Sequence, residues 1–320
     1  MSAAADRRVV LVTRKTRLEE LVVKHHTLAQ ARFYIEHLGA DFNDYVQENL
    51  TYANSQSQVN DALRRWGRYQ VLERHHLTNY VFAKDDIVIA LGQDGLVANT
   101  LKYLNGQPLI GINPEPARWD GLLLPFGPSD IDLLLSEVAH DRRPSQSVTM
   151  AVARLSDGQS LHAVNDIFIG PRSHTSALYD ISIGDRKEHQ SSSGVIVSTG
   201  LGSTAWLKSV MTGAAALTAA TNFPTLAATD ENAGQQTDYQ ALAWDADLLR
   251  FAVREPFPTR HSQATLVYGT VTNAQPLRVR SCMPDSGVIF SDGIEADYLR
   301  FAAGVEATIS ISATRGQLVV

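Results

Sequence analysis

Apolar residues in this chain occur first as short unbroken runs, set between stretches with helical spacing. Val9-Val10-Leu11-Val12-Thr13 and Ile87-Val88-Ile89-Ala90-Leu91 are rich in β-branched residues, the pattern of strands buried on both faces. Between them, Leu18, Leu21, Val22, Ala29 and Phe33 fall on one face of a helix. A second helical stretch is expected at Val59 to Trp66, followed by a strand at Tyr69 to Leu72. Leu96 to Leu104 reads as helix and Pro108 to Asn113 as strand. Apolar strands alternating with helices predict a parallel sheet covered on both sides.

The texture changes after about Asp141. Arg142-Arg143-Pro144-Ser145 reads as a connector. Short strands then follow at close spacing with polar turns between them: Val148–Arg154, Ala163–Ile169, Ala177–Ile183, Val195–Ser198, Leu249–Arg254, Ala264–Tyr268, Leu277–Arg280, Val288–Phe290 and Ala307–Ser312. One helix, from about Ser203 to Ala220, interrupts them, and 221–247 reads as an irregular loop. The expected architecture is an α/β domain with a parallel sheet over 1–143 and a β-rich, sandwich-like domain over 144–320.

A chain of 320 residues accommodates two domains. Hydrophobic residues at 44 % and charged residues at 19 % are those of a globular protein. Runs long enough to span a bilayer, about eighteen apolar residues, are absent from the sequence. With 28 basic and 34 acidic residues the net charge is −6, which argues against nucleic acid or an anionic membrane as partner. Met1 to Arg8 is too short and polar for a signal peptide. A single cysteine, Cys282, excludes an intrachain disulfide and a thiolate metal cluster, and a cytoplasmic, reducing setting is the simplest expectation.

Three places carry candidate chemistry. The first is Gly92-Gln93-Asp94-Gly95, where a buried strand runs into a helix. Ligands of open α/β sheets bind outside the carboxyl ends of strands, and a helix N-terminus there offers N–H groups to an anion. Asp94 is placed to orient or accept a hydroxyl proton. The plainer alternative is a tight turn with Asp94 as helix cap.

The second place is the Ser198 to Ala205 segment, a glycine-rich turn between strand and helix. Gly200-x-Gly202-x-x-Ala205 matches a dinucleotide fingerprint, but the acidic residue ending a second strand, expected about twenty residues on, is missing. Here the alternative is a helix capped by Ser203. The third is Asn165-Asp166, two polar residues interrupting an apolar strand, where a buried carboxylate must be paired or bound, or the strand must bulge. Phosphate-binding Gly-Lys-Ser/Thr, G-x-S-x-G and H-E-x-x-H patterns are absent from the sequence, and no metal ligands are assigned to the protein.

The ordered set GQDG, NDIFIG, SSGVIVSTGLGSTAW, VREPF and SDG, with VVLVTRKTRLEE and IGINPEPARWDGLLLPF, resembles the NAD kinase family, and in particular its mitochondrial-type branch. The resemblance runs from Val9 to about Gly316. It implies an N-terminal α/β domain and a C-terminal β-rich domain with nucleotide in the crevice between them, and a final segment that returns to the first domain. The implied activity is that of a phosphotransferase with an alcohol acceptor: the γ-phosphoryl group of ATP moves to the 2′-hydroxyl of the NAD adenosine ribose, giving NADP, with Mg²⁺ carried on the ATP phosphates. A cytoplasmic homodimer whose partners are small nucleotides is the matching expectation.

By the same resemblance Asp94 is the catalytic aspartate. Gly92, Gln93 and Gly95 face phosphate, Asn165 and Asp166 hold adenine and ribose, and Thr199, Gly202, Ser203 and Thr204 lie near the nucleotide. The chain departs from the family pattern at Gln93, where glycine is usual, at Leu96, where threonine is usual, and at Asp166, which stands for glutamate. Gln93 either fills the space of a phosphate or binds it through its amide. The competing functions are a catalytically weak NAD(P)-binding protein and a related kinase with a lipid or sugar acceptor.

Overall fold

The computed structural model describes residues 7–221 and 239–320. These divide into two compact units: 7–146 with 316–320, and 147–315 without the undescribed part of 221–247.

The first unit begins with β1 (Val9–Thr13), whose five residues are all buried. Three helices follow: α1 (Arg17–His25), α2 (Leu28–His37) and α3 (Phe42–Trp66). Where one helix was expected across Leu18 to Phe33, the chain breaks. His26 takes a left-handed φ of 67°, and the Thr27 side chain accepts from Gln30 N to start α2. Phe33 consequently leaves the apolar face and stands exposed. The stretch expected at Val59 to Trp66 is the last part of the much longer α3.

Next come β2 (Tyr69–Glu73), β3 (Ile87–Leu91), α4 (Asp94–Leu101), β4 (Pro108–Ile112) and α5 (Ile131–Ala139). The strands pair in parallel in the order β2-β1-β3-β4. The tail of the last strand, β16 (Glu306–Val319), adds to β4 through Gln317 and Leu318, also in parallel. Tyr52, Val59 and Leu63 of α3 and Leu134, Leu135 and Val138 of α5 share one core with Val9, Leu11, Ile87 and Ile89. This is the expected α/β arrangement.

The second unit is a β-sandwich. One sheet contains β8 (Ala177–Ile183), β9 (Arg186–Ser192), β13 (Leu277–Ser281) and the first part of β16, in the order β16-β13-β8-β9. The other has the order β12-β11-β10-β7-β14-β15. Its strands are β7 (Asp166–Pro171), β10 (Gly194–Ser198), β11 (Leu249–Arg254), β12 (Tyr268–Val271), β14 (Gly287–Ser291) and β15 (Ile294–Arg300). A hairpin of β5 (Ser145–Leu155) and β6 (Ser160–Ala163) completes the strands. Tyr179, Ile181, Val279 and Ile309 of the first sheet interleave with Ile167, Ile169, Val197, Phe251 and Ile289 of the second. Alternating side chains on two facing sheets build such a core. The α-helix among the described residues of this unit, α6 (Trp206–Thr221), begins later than expected, after a 3₁₀ turn over Gly202–Thr204. Most of the segment expected as an irregular loop, 222–238, lies outside the described residues, and 239–248 forms no helix or strand.

Candidate functional site

The strand order of the first unit selects a place for a ligand. The connection leaving β1 leads to β2 on one side, and that leaving β3 leads to β4 on the other. The carboxyl ends of β1 and β3 therefore flank a topological switch point, where the departing chains open a crevice. Arg14 and Lys15 follow β1 at this point, and Gly92 to Gly95 follow β3.

The two strand ends are tied by Tyr52 of α3. Its hydroxyl accepts the Arg14 N–H and donates to Leu91 O, both at 3.0 Å. Burial pushes this phenol up to about 12, so it stays a donor. The Arg14 guanidinium donates to Glu48 Oε1 at 3.0 Å, and Glu48 also pairs with Arg17. Arg14 Nε is buried without a hydrogen-bond partner among the described residues. A side chain on Gly92 would meet Leu96 at 2.9 Å and Arg14 Cδ at 3.5 Å, so glycine lets the arginine lie against the loop.

Asp94 opens α4 as its first residue. The capping alternative fails, because the cap position belongs to Gln93 and no side chain caps this helix. Instead Asp94 Oδ1 accepts the Leu123 N–H at 2.7 Å. Leu123 belongs to the chain after β4, which Gly111 admits closely: a Cβ there would lie 2.0 Å from Leu123 O. One carboxylate oxygen is thus fixed by backbone, and the residue stays half-buried. Gln93 has φ −121° and ψ 165°, an ordinary extended conformation, so the residue sits without strain where glycine was the family expectation. Gly95 is exposed, with nothing within 4 Å of the position of a Cβ.

In the second unit Asn165 and Asp166 stand at the entry of β7, with Asp166 paired in register to Ser198 of β10. Asp292 organises them. Its carboxylate accepts the N–H of Val164 at 3.1 Å, of Asn165 at 2.7 Å and of Asp166 at 3.3 Å. Asp292 and Gly293 form the two-residue turn between β14 and β15 with φ of 55° and 71°. Positive φ at both positions is the turn that Asp-Gly favours in hairpins. Asp166 is buried, and its Oδ1 has no hydrogen-bond partner among the described residues. Burial first, and then the Asp292 charge, push its carboxyl up to about 7 against the opposing hydrogen bond from Ser198.

The glycine-rich turn serves this centre from within the protein. Thr199 N donates to Asn165 O at 2.9 Å, and Thr199 Oγ1 joins Val164 O to Gly202 N. Ser203 Oγ donates to Gly200 O at 2.6 Å and accepts Leu242 N–H at 3.0 Å, bonds that differ from the alternative of a helix cap. A Cβ on Gly202 would lie 2.1 Å from Asn165 O, and one on Gly200 1.9 Å from Ala243 O. These glycines admit the protein's own backbone. Among the turn's hydroxyls only that of Thr204 belongs to an exposed residue, and it donates to Leu201 O at 3.1 Å.

No family model matches the chain. It is similar to the NAD kinase 2, mitochondrial, of Rattus norvegicus, with 24 % identity over 253 residues, 62 % of this chain and 59 % of that protein. The Homo sapiens protein of the same name is 25 % identical over 257 residues, 62 % of this chain and 57 % of that one. An NAD kinase of Legionella pneumophila is 30 % identical over 132 residues, 39 % of this chain and 44 % of that protein. The matched part of this chain thus spans 57 to 59 % of the length of its two mammalian relatives. Among solved structures, an Archaeoglobus fulgidus NAD kinase in complex with ATP superposes with a TM-score of 0.57 at 14 % identity, covering 98 % of this chain and 93 % of the other. A yeast NADH kinase complexed with NADH gives 0.57 at 17 % identity, covering 98 % and 83 %.

The chain has the NAD kinase fold. On that fold, the first unit holds Gly92, Gln93, Asp94 and Gly95, and the second brings together Asn165, Asp166, Thr199, Gly202 and Ser203, with Thr204 at the rim of the turn. Arg14 and Asp292 lie in segments that carry the family resemblance, VVLVTRKTRLEE and SDG, but neither was given a role in the site. For Asp292 the Asp-Gly dipeptide between two apolar runs was an available signal. Arg14 stood in the VVLVTRKTRLEE segment with no role attached to it, and only the parallel pairing of β1 with β3 brings it to the loop.

Proposed function

We propose that this protein is an NAD kinase, which transfers the γ-phosphoryl group of MgATP to the 2′-hydroxyl of the NAD adenosine ribose. The observation that carries the reading is Asp94: a half-buried carboxylate at a helix N-terminus, on a switch point, with one oxygen already held by the Leu123 N–H. Its other oxygen is left to take the hydroxyl proton as the new O–P bond forms and the bond to the ADP leaving group breaks. Phosphoryl transfer asks the protein mainly for positioning and charge stabilisation. The N–H groups opening α4 and the Arg14 guanidinium meet that need for the donor phosphates. Mg²⁺ arrives with ATP as part of the substrate.

Asn165 and Asp166 receive the adenosine end of NAD. The Oδ1 of buried Asp166, without a partner among the described residues, fits a ribose hydroxyl as donor. The unstrained backbone at Gln93 favours an active kinase over a protein that only binds dinucleotide, because the substitution leaves the loop free to form. Its amide then donates to phosphate. The lone free thiol of Cys282 agrees with a cytoplasmic setting, and no helix among the described residues is long and apolar enough to cross a membrane. A homodimer completes the reading. Incubation with ATP, Mg²⁺ and NAD followed by an NADP assay tests the activity, with Asp94→Asn as control. Failure to form NADP under these conditions would overturn it.

A further inference from the structure

The solvent side of the β9-β8-β13 ladder carries a group of another kind. Asp180 on β8 lies opposite His189 on β9 and opposite Arg280 on β13. Cys282 follows β13, and its N–H donates to Leu178 O at 2.8 Å, which keeps it in step with β8. Side chains alternate across a sheet, so Asp180, His189, Arg280 and Cys282 share the face opposite the buried Tyr179, Ile181 and Val279. His189 Nδ1 is 2.9 Å from Asp180 Oδ1. A carboxylate oxygen, an imidazole nitrogen and the Cys282 sulfur all lie within 4.8 Å of one another. Asp180 and Cys282 are half-buried and His189 is exposed.

We propose that Asp180, His189 and Cys282 bind one Zn²⁺, with solvent in the fourth position. The donor set decides the ion. Thiolate and imidazole suit zinc, whereas Mg²⁺ and Ca²⁺ take oxygen ligands. A tetrahedral zinc bonded at about 2.0–2.3 Å holds its donors roughly 3.3–3.8 Å apart. Rotation of three side chains on an open face closes the remaining gap, and the Nδ1···Oδ1 hydrogen bond gives way to two bonds to the metal.

The Cys282 sulfur must give up its proton to bind the ion, and the Asp180 carboxylate stands beside it. A dication relieves the repulsion between thiolate and carboxylate: the S–H proton leaves to solvent as the S–Zn bond forms. Arg280 on the same face opposes this in part, screened by solvent. Asp180 and His189 sit on two strands and Cys282 just past a third, which is why no spacing motif marks them in the sequence and why the ion would clip β8, β9 and the end of β13 together.

The test uses the full chain, stripped with a chelator and titrated with Co²⁺ alone. Expected are a thiolate-to-cobalt charge-transfer band and the intense visible bands of a four-coordinate site, saturating at a single equivalent and bleached by Zn²⁺. Cys282→Ser should abolish the charge-transfer band. His189→Ala and Asp180→Asn should each weaken binding by about 100-fold or more, beyond the loss usual for an outer partner. Zn²⁺ should raise the melting temperature of the parent and leave that of Cys282→Ser unmoved. Metal-free melting of the variants, which alter only the open face, reports that they fold. Absence of a thiolate band at one equivalent, or undiminished affinity in both His189→Ala and Asp180→Asn, overturns the proposal.

Discussion

Asp292 Oδ1 accepts the Asn165 N–H at 2.7 Å, and through this bond a hairpin turn sets the backbone at the entry of β7. Asp292→Ala strips partners from three successive N–H groups at 164–166. Leaving such donors unsatisfied costs about 1–3 kcal/mol each when they are buried. The variant should lose stability and bind NAD about tenfold or more weakly. Asp292→Asn, whose amide oxygen still accepts, should recover much of both. Calorimetric titration with NAD and thermal melting check this, and equal binding by the alanine variant would remove Asp292 from the site.

Asp94→Asn keeps an oxygen for the Leu123 N–H but cannot take a proton. Turnover should fall by roughly 10²–10⁴-fold, the usual contribution of a general base. NAD affinity and melting temperature should hardly change. Near-normal turnover would leave Asp94 as a loop fastener only.

Gln93 occupies an ordinary extended conformation, so glycine in its place relieves no strain. Gln93→Gly should therefore lower activity by weakening ATP use. Loss of a hydrogen bond to a charged group corresponds to about 1.5–3 kcal/mol in kcat/KM for ATP. Kinetics with ATP and NAD varied separately measure it. A faster glycine variant would show that Gln93 obstructs the donor.

The Asp166 carboxyl, pushed up to about 7 by burial, gives the protein two pH signatures. Its folded value lies above the unfolded one, so the folded state holds the extra proton between about pH 4 and 7. This group's contribution to stability is therefore greatest below about pH 4 and declines as pH rises to 7. Asp166→Asn should flatten that decline. A ribose hydroxyl donating to the carboxylate favours its ionised form, so NAD affinity should rise from about pH 6 to 8 in the parent and not in Asp166→Asn. Opposite slopes would contradict the assignment.

Elements were legible where burial is uniform. β1 and β3 are apolar throughout, and β8 and β11 show their patterns plainly. β9 escaped notice because its inward residues are Glu188, Gln190 and Ser192. These polar groups are satisfied inside: Glu188 accepts from Thr265 and Leu266, and Tyr179 donates to Gln190. α3 hid for a similar reason, since its buried face includes Glu48 and Ser55. In the candidate site, Asp94 and the Asn165-Asp166 pair were visible as polar residues at strand ends. The close approach behind Gly200 and Gly202 was not, because the atoms they admit come from Ala243 and Asn165, and sequence alone does not say whether a glycine makes room for a ligand or for the chain itself.

The tail of β16 has a consequence for how the protein is made. Gln317 and Leu318 complete the parallel sheet beside β4, and Gly316 takes the Leu101 side chain against its bare Cα. The first unit to be synthesised is thus the last to be finished. Its open flank at β4 stays unpaired while everything from Ser147 to Arg315 is translated, a long exposure of an apolar strand edge for a nascent chain to endure.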